Sequence, residues 1–311
     1  MLYGQELADP DLMQIRLDIV RPQQHLLERT MTASPKKIAL IYDFDGTLAP
    51  GNMHEHSFLP KLNTSADQFW RDVKARTRKH NADEILVYMW RMLELAREQN
   101  QVVTKSSLKE HGAGLRLFSG VETWFDRINL YASERELNAE HYIISSGIFE
   151  IIRGCSIFSK FKYVFASKFI CEDDVAKWPA TGINYTSKTQ HLFRINKGIE
   201  TIWDNSLINR WVPEAERPIP FERMIFVGDG ETDVPAMKTV LTQGGCSIAV
   251  YDPDRIQEAK AQTILHSLIA EKRVQFVAPA DYSEGSQLDL VVKGVIGRMA
   301  REAGFREKGG P

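Results

Sequence analysis

Residues Ile38-Ala39-Leu40-Ile41-Tyr42 are apolar without a break and end abruptly on Asp43-Phe44-Asp45-Gly46-Thr47. A short run of this kind, rich in β-favouring residues and lacking polar alternation, predicts a strand buried on both faces. In open sheets with helices on either side, ligands bind where the carboxyl ends of the strands leave the sheet. Two carboxylates placed there are costly to bury unless a proton or a cation compensates them. Side chains alternate along a strand, so Asp43 and Asp45 point to different sides and can take different tasks. One can attack while the other handles protons. Taken alone, the pentapeptide is also compatible with a polar turn after a strand; the later segments decide between the two.

The rest of the chain alternates between strand and helix. Beyond the first strand the pattern is helical to about Leu115. Ser65-Ala66-Asp67-Gln68 fits a capping box ahead of Phe69, Trp70 and Val73, and Asn81-Ala82-Asp83-Glu84 repeats the device ahead of Ile85, Met89, Met92, Leu93 and Ala96. This Met and aromatic stripe reads as core. Helical spacing returns over Val121, Trp124, Phe125, Ile128 and Tyr131. Strands are predicted at His141–Ile144, Tyr163–Ala166, Met224–Val227, Ser247–Tyr251 and Val274–Val277. Helices are predicted near Ile148–Arg153, from Lys188 to a C-cap at Gly198, and from Pro253 to Leu268. The segment between Ala166 and Ser187 reads as loose, and Val212–Phe221 as a surface connection. The alternation predicts an α/β fold built on a doubly wound parallel sheet, with an all-helical insert well placed to be a lid. The predicted division is an N-terminal extension over 1–35, a core over 36–51 and 116–305, a helical cap over 52–115 and a loose tail over 306–311. Leu12, Ile15, Ile19 and Leu26 suggest a short helix in the extension, and Met31 stands as an alternative first residue.

Composition excludes several classes. A net charge of −2 gives no general pull toward nucleic acid or anionic membranes, and no apolar run approaches the roughly 20 residues that cross a bilayer. With no secretory leader visible and three scattered cysteines, Cys155, Cys171 and Cys246, reduced thiols in a cytoplasmic protein are expected. No Cys-x-x-Cys pair suggests zinc. The expected partner is a small molecule, with no nucleic acid and no membrane; the oligomeric state is not indicated.

Polar groups recur at the predicted strand ends: Asp43 and Asp45, Ser145-Ser146-Gly147, Lys188 after its loop, and Asp229 and Asp233 in Gly228-Asp229-Gly230-Glu231-Thr232-Asp233. Carboxylates from separate strands supply hard oxygen ligands suited to Mg²⁺. Ser145, Lys188 and the turn amides after Asp43 can hold phosphoryl oxygens. Asp43-Phe44-Asp45-Gly46-Thr47 resembles the first motif of the haloacid dehalogenase superfamily, and Ser145, Lys188 and Gly228–Asp233 resemble its second, third and fourth. The resemblance covers about Lys37 to Tyr251. It implies a three-layer α/β/α Rossmann-like core with a helical cap between the first and second motifs. Phosphatases and phosphotransferases of that superfamily carry an aspartate where Asp45 stands, whereas its dehalogenases do not.

The resemblance also implies roles for single residues. By it, Asp43 is the nucleophile that forms an aspartyl-phosphate, and Asp45 is the acid and then the base. It implies Mg²⁺ held by Asp43, the Asp45 carbonyl oxygen and Asp229, with Asp233 as an outer partner or a clamp on Lys188. Thr47, Ser145, Ser146, Gly147 and Lys188 are implied to bind the phosphoryl group. Ser146 rivals Ser145, and Lys197, followed by Gly198, rivals Lys188. The cap and Leu117-Phe118-Ser119-Gly120-Val121 resemble phosphoserine phosphatases, but Asn52 stands where those enzymes carry a substrate-binding glutamate. The expected activity is hydrolysis of a small phosphomonoester. The alternatives are a phosphotransferase or phosphomutase, and a non-catalytic binding or regulatory protein of the same fold. His54 and His56 suggest a cap hinge or a substrate contact more than a metal pair. Arg71, Lys74, Arg76, Arg78 and Lys79 read as a solvated helix face.

Overall fold

The apolar run before Asp43 forms β1, Lys36–Tyr42, in a computed structural model that describes residues 35–307. The expectations for residues 1–34, including the extension's helix and Met31, and for the last residues of the tail lie outside the described part. Six further strands follow: β2 (Leu137–Ile148), β3 (Tyr163–Glu172), β4 (Val175–Thr181), β5 (Met224–Gly228), β6 (Cys246–Tyr251) and β7 (Phe276–Pro279). They form a seven-stranded sheet in the order β4-β3-β2-β1-β5-β6-β7. Parallel pairing joins β1 to β5, β5 to β6, β6 to β7 and β2 to β3.

Strand β1 is central, and its side chains divide between two apolar layers. Ile38, Leu40 and Tyr42 pack with Val121, Trp124, Phe125 and Ile128 of the helix Val121–Ser133 and with Leu288, Val292 and Ile296 of the helix Gln287–Glu307. Ala39 and Ile41 face the opposite way, onto Leu192 and Ile195 of the helix Ser187–Lys197 and onto Ala236, Met237 and Val240 of the helix Val234–Thr242. This gives three layers, with β1 buried on both sides. Leaving the sheet's carboxyl edge, β1, β2 and β5 deliver Asp43, Ser145 and Asp229 as neighbours.

The expected cap is helical. Its main members are Ala66–His80, Glu84–Glu98 and Lys105–Ala113, and Phe69, Val73, Met89, Met92 and Leu93 are continuous with the first apolar layer. Ser65 caps the first of these helices, accepting from the Gln68 amide at 3.3 Å. The second cap differs from the expectation. Asn81, at φ +47°, closes the preceding helix, and Asp83 caps the next by accepting from the Ile85 and Leu86 amides.

The segment expected to be loose contains β4, which turns back antiparallel to β3 through Asp173 and Asp174, at φ +47° and +69°. Two successive left-handed residues suit a tight hairpin, a task usually given to Asn-Gly. Pro179 hides the strand in the sequence, and β4 tolerates it because it is an edge strand. The periodicity also misses the helix Gln287–Glu307, starts the helix Ala259–Ala270 too early at Pro253, and starts β7 two positions early.

A buried polar chain supports β1 from behind. The Trp124 indole N–H donates to the Tyr42 hydroxyl at 2.8 Å, and that hydroxyl meets His141 Nδ1 at 3.0 Å. The other ring nitrogen, Nε2, meets Asn129 Oδ1 at 3.0 Å. A neutral ring satisfies both ends: Nδ1 accepts from Tyr42, and Nε2–H donates to Asn129. Burial lowers the His141 pKa to about 3. Unfolded histidine takes up a proton near pH 6.5, which the folded ring refuses until about pH 3. The neutral His141 therefore stabilises the fold fully above about pH 6.5, and its contribution is lost progressively as pH falls from there to about 3. The stability difference between wild type and His141→Gln should shrink by about 2 kcal/mol between about pH 7 and pH 5, as read by urea unfolding at each pH. A difference that stays constant would mean the ring protonates in place.

Candidate active site

Asp43 leaves β1 with its amide still bonded to the Val227 carbonyl of β5 at 3.0 Å, which fixes the backbone at the sheet edge. Its Oδ1 accepts from the Phe44 amide at 2.7 Å, and its Oδ2 accepts from Lys188 Nζ at 2.7 Å. Lys188 lies in the first turn of the helix Ser187–Lys197 and is fully buried. Its ammonium also donates to Asp233 Oδ1 at 2.7 Å and reaches the Thr232 hydroxyl at 3.4 Å. Burial alone would push the Lys188 pKa down. The carboxylates of Asp233 and Asp43 outweigh it and hold the ammonium charged.

Asp229, directly after β5, completes an acidic group. Asp43, Asp229 and Asp233 offer one oxygen each within 4.8 Å of one another. One lysine cannot balance three carboxylates at that separation. Burial, with the charges of Asp233 and Asp43, pushes the Asp229 pKa well up. Burial pushes Asp233 up to about 6 against the pull of Lys188, and its Oδ2 is buried without a partner. A hard divalent cation fits this set: the donors are carboxylate oxygens, with no histidine or cysteine among them. Gly46 makes the approach possible. It sits at φ +70°, and a Cβ there would lie 2.1 Å from Asp229 Oδ2.

Asp45 faces elsewhere. Its Oδ1 accepts from the Met53 amide at 2.8 Å, at the start of the short helix Met53–His56. Burial and the neighbouring Asp43 charge raise its pKa well above the usual carboxylate range, so it holds its proton to higher pH than an ordinary aspartate. The Asp45 carboxyl is not part of the three-acid group.

The β2 turn lies next to Asp45. A Cβ on Gly147 would come within 2.2 Å of the Met53 ε-methyl and 3.1 Å of Asp45 Oδ2, so a side chain there would displace Met53 and crowd Asp45. Ser145 is fully buried, and its Oγ accepts from the Gly147 amide at 3.0 Å. The Ser146 hydroxyl is buried without a partner. Thr47 is fully buried, its hydroxyl unpartnered, while its carbonyl accepts from the Tyr282 hydroxyl at 2.8 Å.

The structure thus brings Asp43, Lys188, Asp229 and Asp233 together, with Asp45 and the Ser145–Gly147 turn alongside. The rival Lys197 is used elsewhere: its Nζ donates to the carbonyls of Ile208 and Arg210 at 2.6 and 2.8 Å. His54 and His56 do not converge. The His54 ring stacks on Tyr88 at 5.3 Å between Phe69 and Trp70, with burial lowering its pKa to about 4, and His56 Nε2 bonds the Pro50 carbonyl. Arg71, Lys74, Arg78 and Lys79 are exposed, whereas Arg76 is tied to Asp72 and Glu94. Sequence reasoning misses Met53 and Tyr88. Met53 carries no chemical signal of its own. Tyr88 lies in a stripe whose burial is right but whose hydroxyl does more than pack.

Comparisons with known proteins agree with this fold. A family profile described as haloacid dehalogenase-like hydrolase matches residues 40–238. An uncharacterised protein of Borreliella burgdorferi is 30% identical over 279 residues, covering 81% of this chain and 93% of the relative. Among solved structures, a HAD family hydrolase from Salmonella enterica serovar Typhi superposes with TM-score 0.52 at 15% identity, covering 87% of this chain and 78% of that one. A phosphoserine phosphatase with a phospho-aspartyl intermediate analogue gives 0.50 at 13% identity, over 83% and 99% of the two chains. At such identities the likeness is one of fold.

A divalent cation at saturating concentration should raise the melting temperature at about pH 7.5 by roughly 5 °C, since it binds only the folded acids. Gly46→Ala, which displaces Asp229, should abolish most of that gain in a thermal-shift titration with MgCl₂. An unchanged gain in the variant would remove Asp229 from the cation site.

Proposed function

This chain belongs to the haloacid dehalogenase-like hydrolase family, and within it we propose a Mg²⁺-dependent phosphohydrolase of small phosphomonoesters that works through an aspartyl-phosphate. One observation carries the reading. Asp43 is held by Lys188 inside a three-acid group, while its neighbour Asp45 has its pKa raised on the other side of the turn. An acid of raised pKa beside a carboxyl group gripped by a buried ammonium supplies a proton donor next to a nucleophile.

Asp43 attacks phosphorus in line and the bond to the leaving oxygen breaks; Asp45 delivers its proton to that oxygen, and an alcohol departs. Asp45, now a carboxylate, takes a proton from water as the water oxygen attacks the same phosphorus. Inorganic phosphate is released and Asp43 regenerated. Lys188 orients Asp43 and, with Ser145 and the turn amide of Ser146, offsets charge on the phosphoryl oxygens. Asp43, Asp229 and Asp233 would hold the cation, which would supply positive charge to the reacting group.

The partner in this reading is a small phosphorylated molecule. The absence of any helix long and apolar enough to cross a membrane among the described residues is compatible with the cytoplasmic location we propose. The same holds for three free cysteines, two of them buried. The Asn52 side-chain amide donates to Glu55, which also accepts from the Trp70 indole.

Wild type should release phosphate from members of a phosphomonoester panel with MgCl₂, and Asp43→Asn should lower kcat by at least roughly a thousandfold. Phosphate release surviving that substitution would assign the nucleophile elsewhere. Asp45→Asn should accumulate a covalent phospho-enzyme visible by intact mass. Undiminished turnover in that variant would take away its acid and base roles. Because Asp45 must be protonated for the first step, kcat/KM should fall as pH rises above its elevated pKa.

A further inference from the structure

Tyr88 belongs to the helix Glu84–Glu98, is almost fully buried, and is not one of the residues used in the reaction above. Its hydroxyl donates to the Ser146 carbonyl at 2.7 Å. That oxygen also accepts from the Ser167 hydroxyl of β3 at 3.0 Å, so two donors from different elements converge on it. Burial raises the Tyr88 pKa well above its usual value. The phenol therefore remains a donor at any working pH.

The Ser146 carbonyl and the Gly147 amide belong to one peptide unit. That unit is planar and trans, so the C=O and the N–H point in opposite directions. Pulling the carbonyl toward Tyr88 and Ser167 aims the Gly147 N–H the other way, to the side where it meets Ser145 Oγ at 3.0 Å. Gly147 itself lies against Asp45 and Met53. One cap side chain thereby sets the direction of an amide on the phosphate side of the turn. A second seam contact lies at the lysine loop, where the Asn184 amide donates to Asp83 Oδ2 at 2.5 Å. Both contacts tie the helix Glu84–Glu98 to the turns before or beside the reactive groups.

We propose that Tyr88 is a positioning residue: by holding the Ser146 carbonyl it aims the Gly147 amide at Ser145 Oγ, which leaves the Ser145 O–H to donate to the phosphoryl oxygens, and this arrangement depends on the seated helix Glu84–Glu98. This rests on the phosphohydrolase reading, because it gives the turn a phosphoryl group to hold. Tyr88 touches no reacting atom. Its effect is on the phosphoryl end of every substrate and not on the choice of leaving group.

The test is calorimetric binding of inorganic phosphate in the presence of MgCl₂ to wild type, Tyr88→Phe, Ser167→Ala and Trp70→Phe. Tyr88→Phe should weaken phosphate roughly tenfold, and Ser167→Ala, which removes the other donor to the same oxygen, should weaken it about threefold. Trp70→Phe alters a cap aromatic that packs on Tyr88 and loses its indole bond to Glu55 while leaving both donors to the Ser146 carbonyl in place, and should stay within about twofold. Wild-type affinity in Tyr88→Phe overturns the inference. So does a loss in Tyr88→Phe and Trp70→Phe alike with none in Ser167→Ala, because that pattern belongs to cap packing. Should Tyr88→Phe not fold, Ser167→Ala decides alone, and unchanged binding there counts against the proposal. A wild type that binds phosphate with these losses yet hydrolyses no phosphomonoester would sink the proposed reaction and leave Tyr88 its role. A wild type that binds no phosphate overturns the role itself.

Discussion

The arrangement hangs on one buried cation. Lys188 has no exposure to solvent, and among the described residues its charge is met by Asp43 and Asp233 at 2.7 Å each. A buried lysine without its acids would lose its charge, and buried acids without the lysine would gain protons. Each group keeps the others in the state the chemistry needs. Its net contribution to stability is modest, since desolvating three ionic groups offsets much of their attraction. Its contribution to geometry is large: the ammonium fixes where the ends of β1 and β5 and the start of the helix Ser187–Lys197 stand relative to one another.

The second constraint is steric. Acidic side chains crowd at the carboxyl edge where glycines leave room for them, Gly228 among these, since a Cβ there would lie 2.4 Å from Asp233 Oδ2. Gly46 admits Asp229, and Gly147 admits Asp45 and the Met53 methyl. The turn amides and the carboxylates then share a space that a single methyl group would fill. Met53 illustrates how local the control is: its amide holds Asp45, its sulfur accepts from the Ile148 amide at 3.3 Å, and its methyl lies on Gly147.

Much of this is legible in the sequence, for identifiable reasons. Unbroken apolar runs ending on acids mark strands of a doubly wound sheet, and their polar ends mark the site; β1 and β5 both carry this signature. Lys188 is favoured over Lys197 because it stands at the start of its helix, and that position does put it among the acids while Lys197 serves a loop. Strand β4 is hidden by Pro179 and by the Asp173-Asp174 turn, which lacks the usual glycine. Asn81 looks like a helix start although it ends one, because asparagine serves both ends. Met53 and Tyr88 are invisible as site residues, since a backbone amide and a buried phenol leave no mark in a pattern of hydrophobicity.

The bond between Lys188 and Asp43 joins residues 145 positions apart, and Asp233 lies another 45 further on. No early fragment of the chain can therefore contain the finished ion group. A nascent polypeptide that has made β1 and β2 exposes two aspartates with nothing to balance them, and chemical competence arrives only once synthesis has passed Asp233. Any assay of this site is thereby also a report on whether the molecule has been made that far and correctly closed.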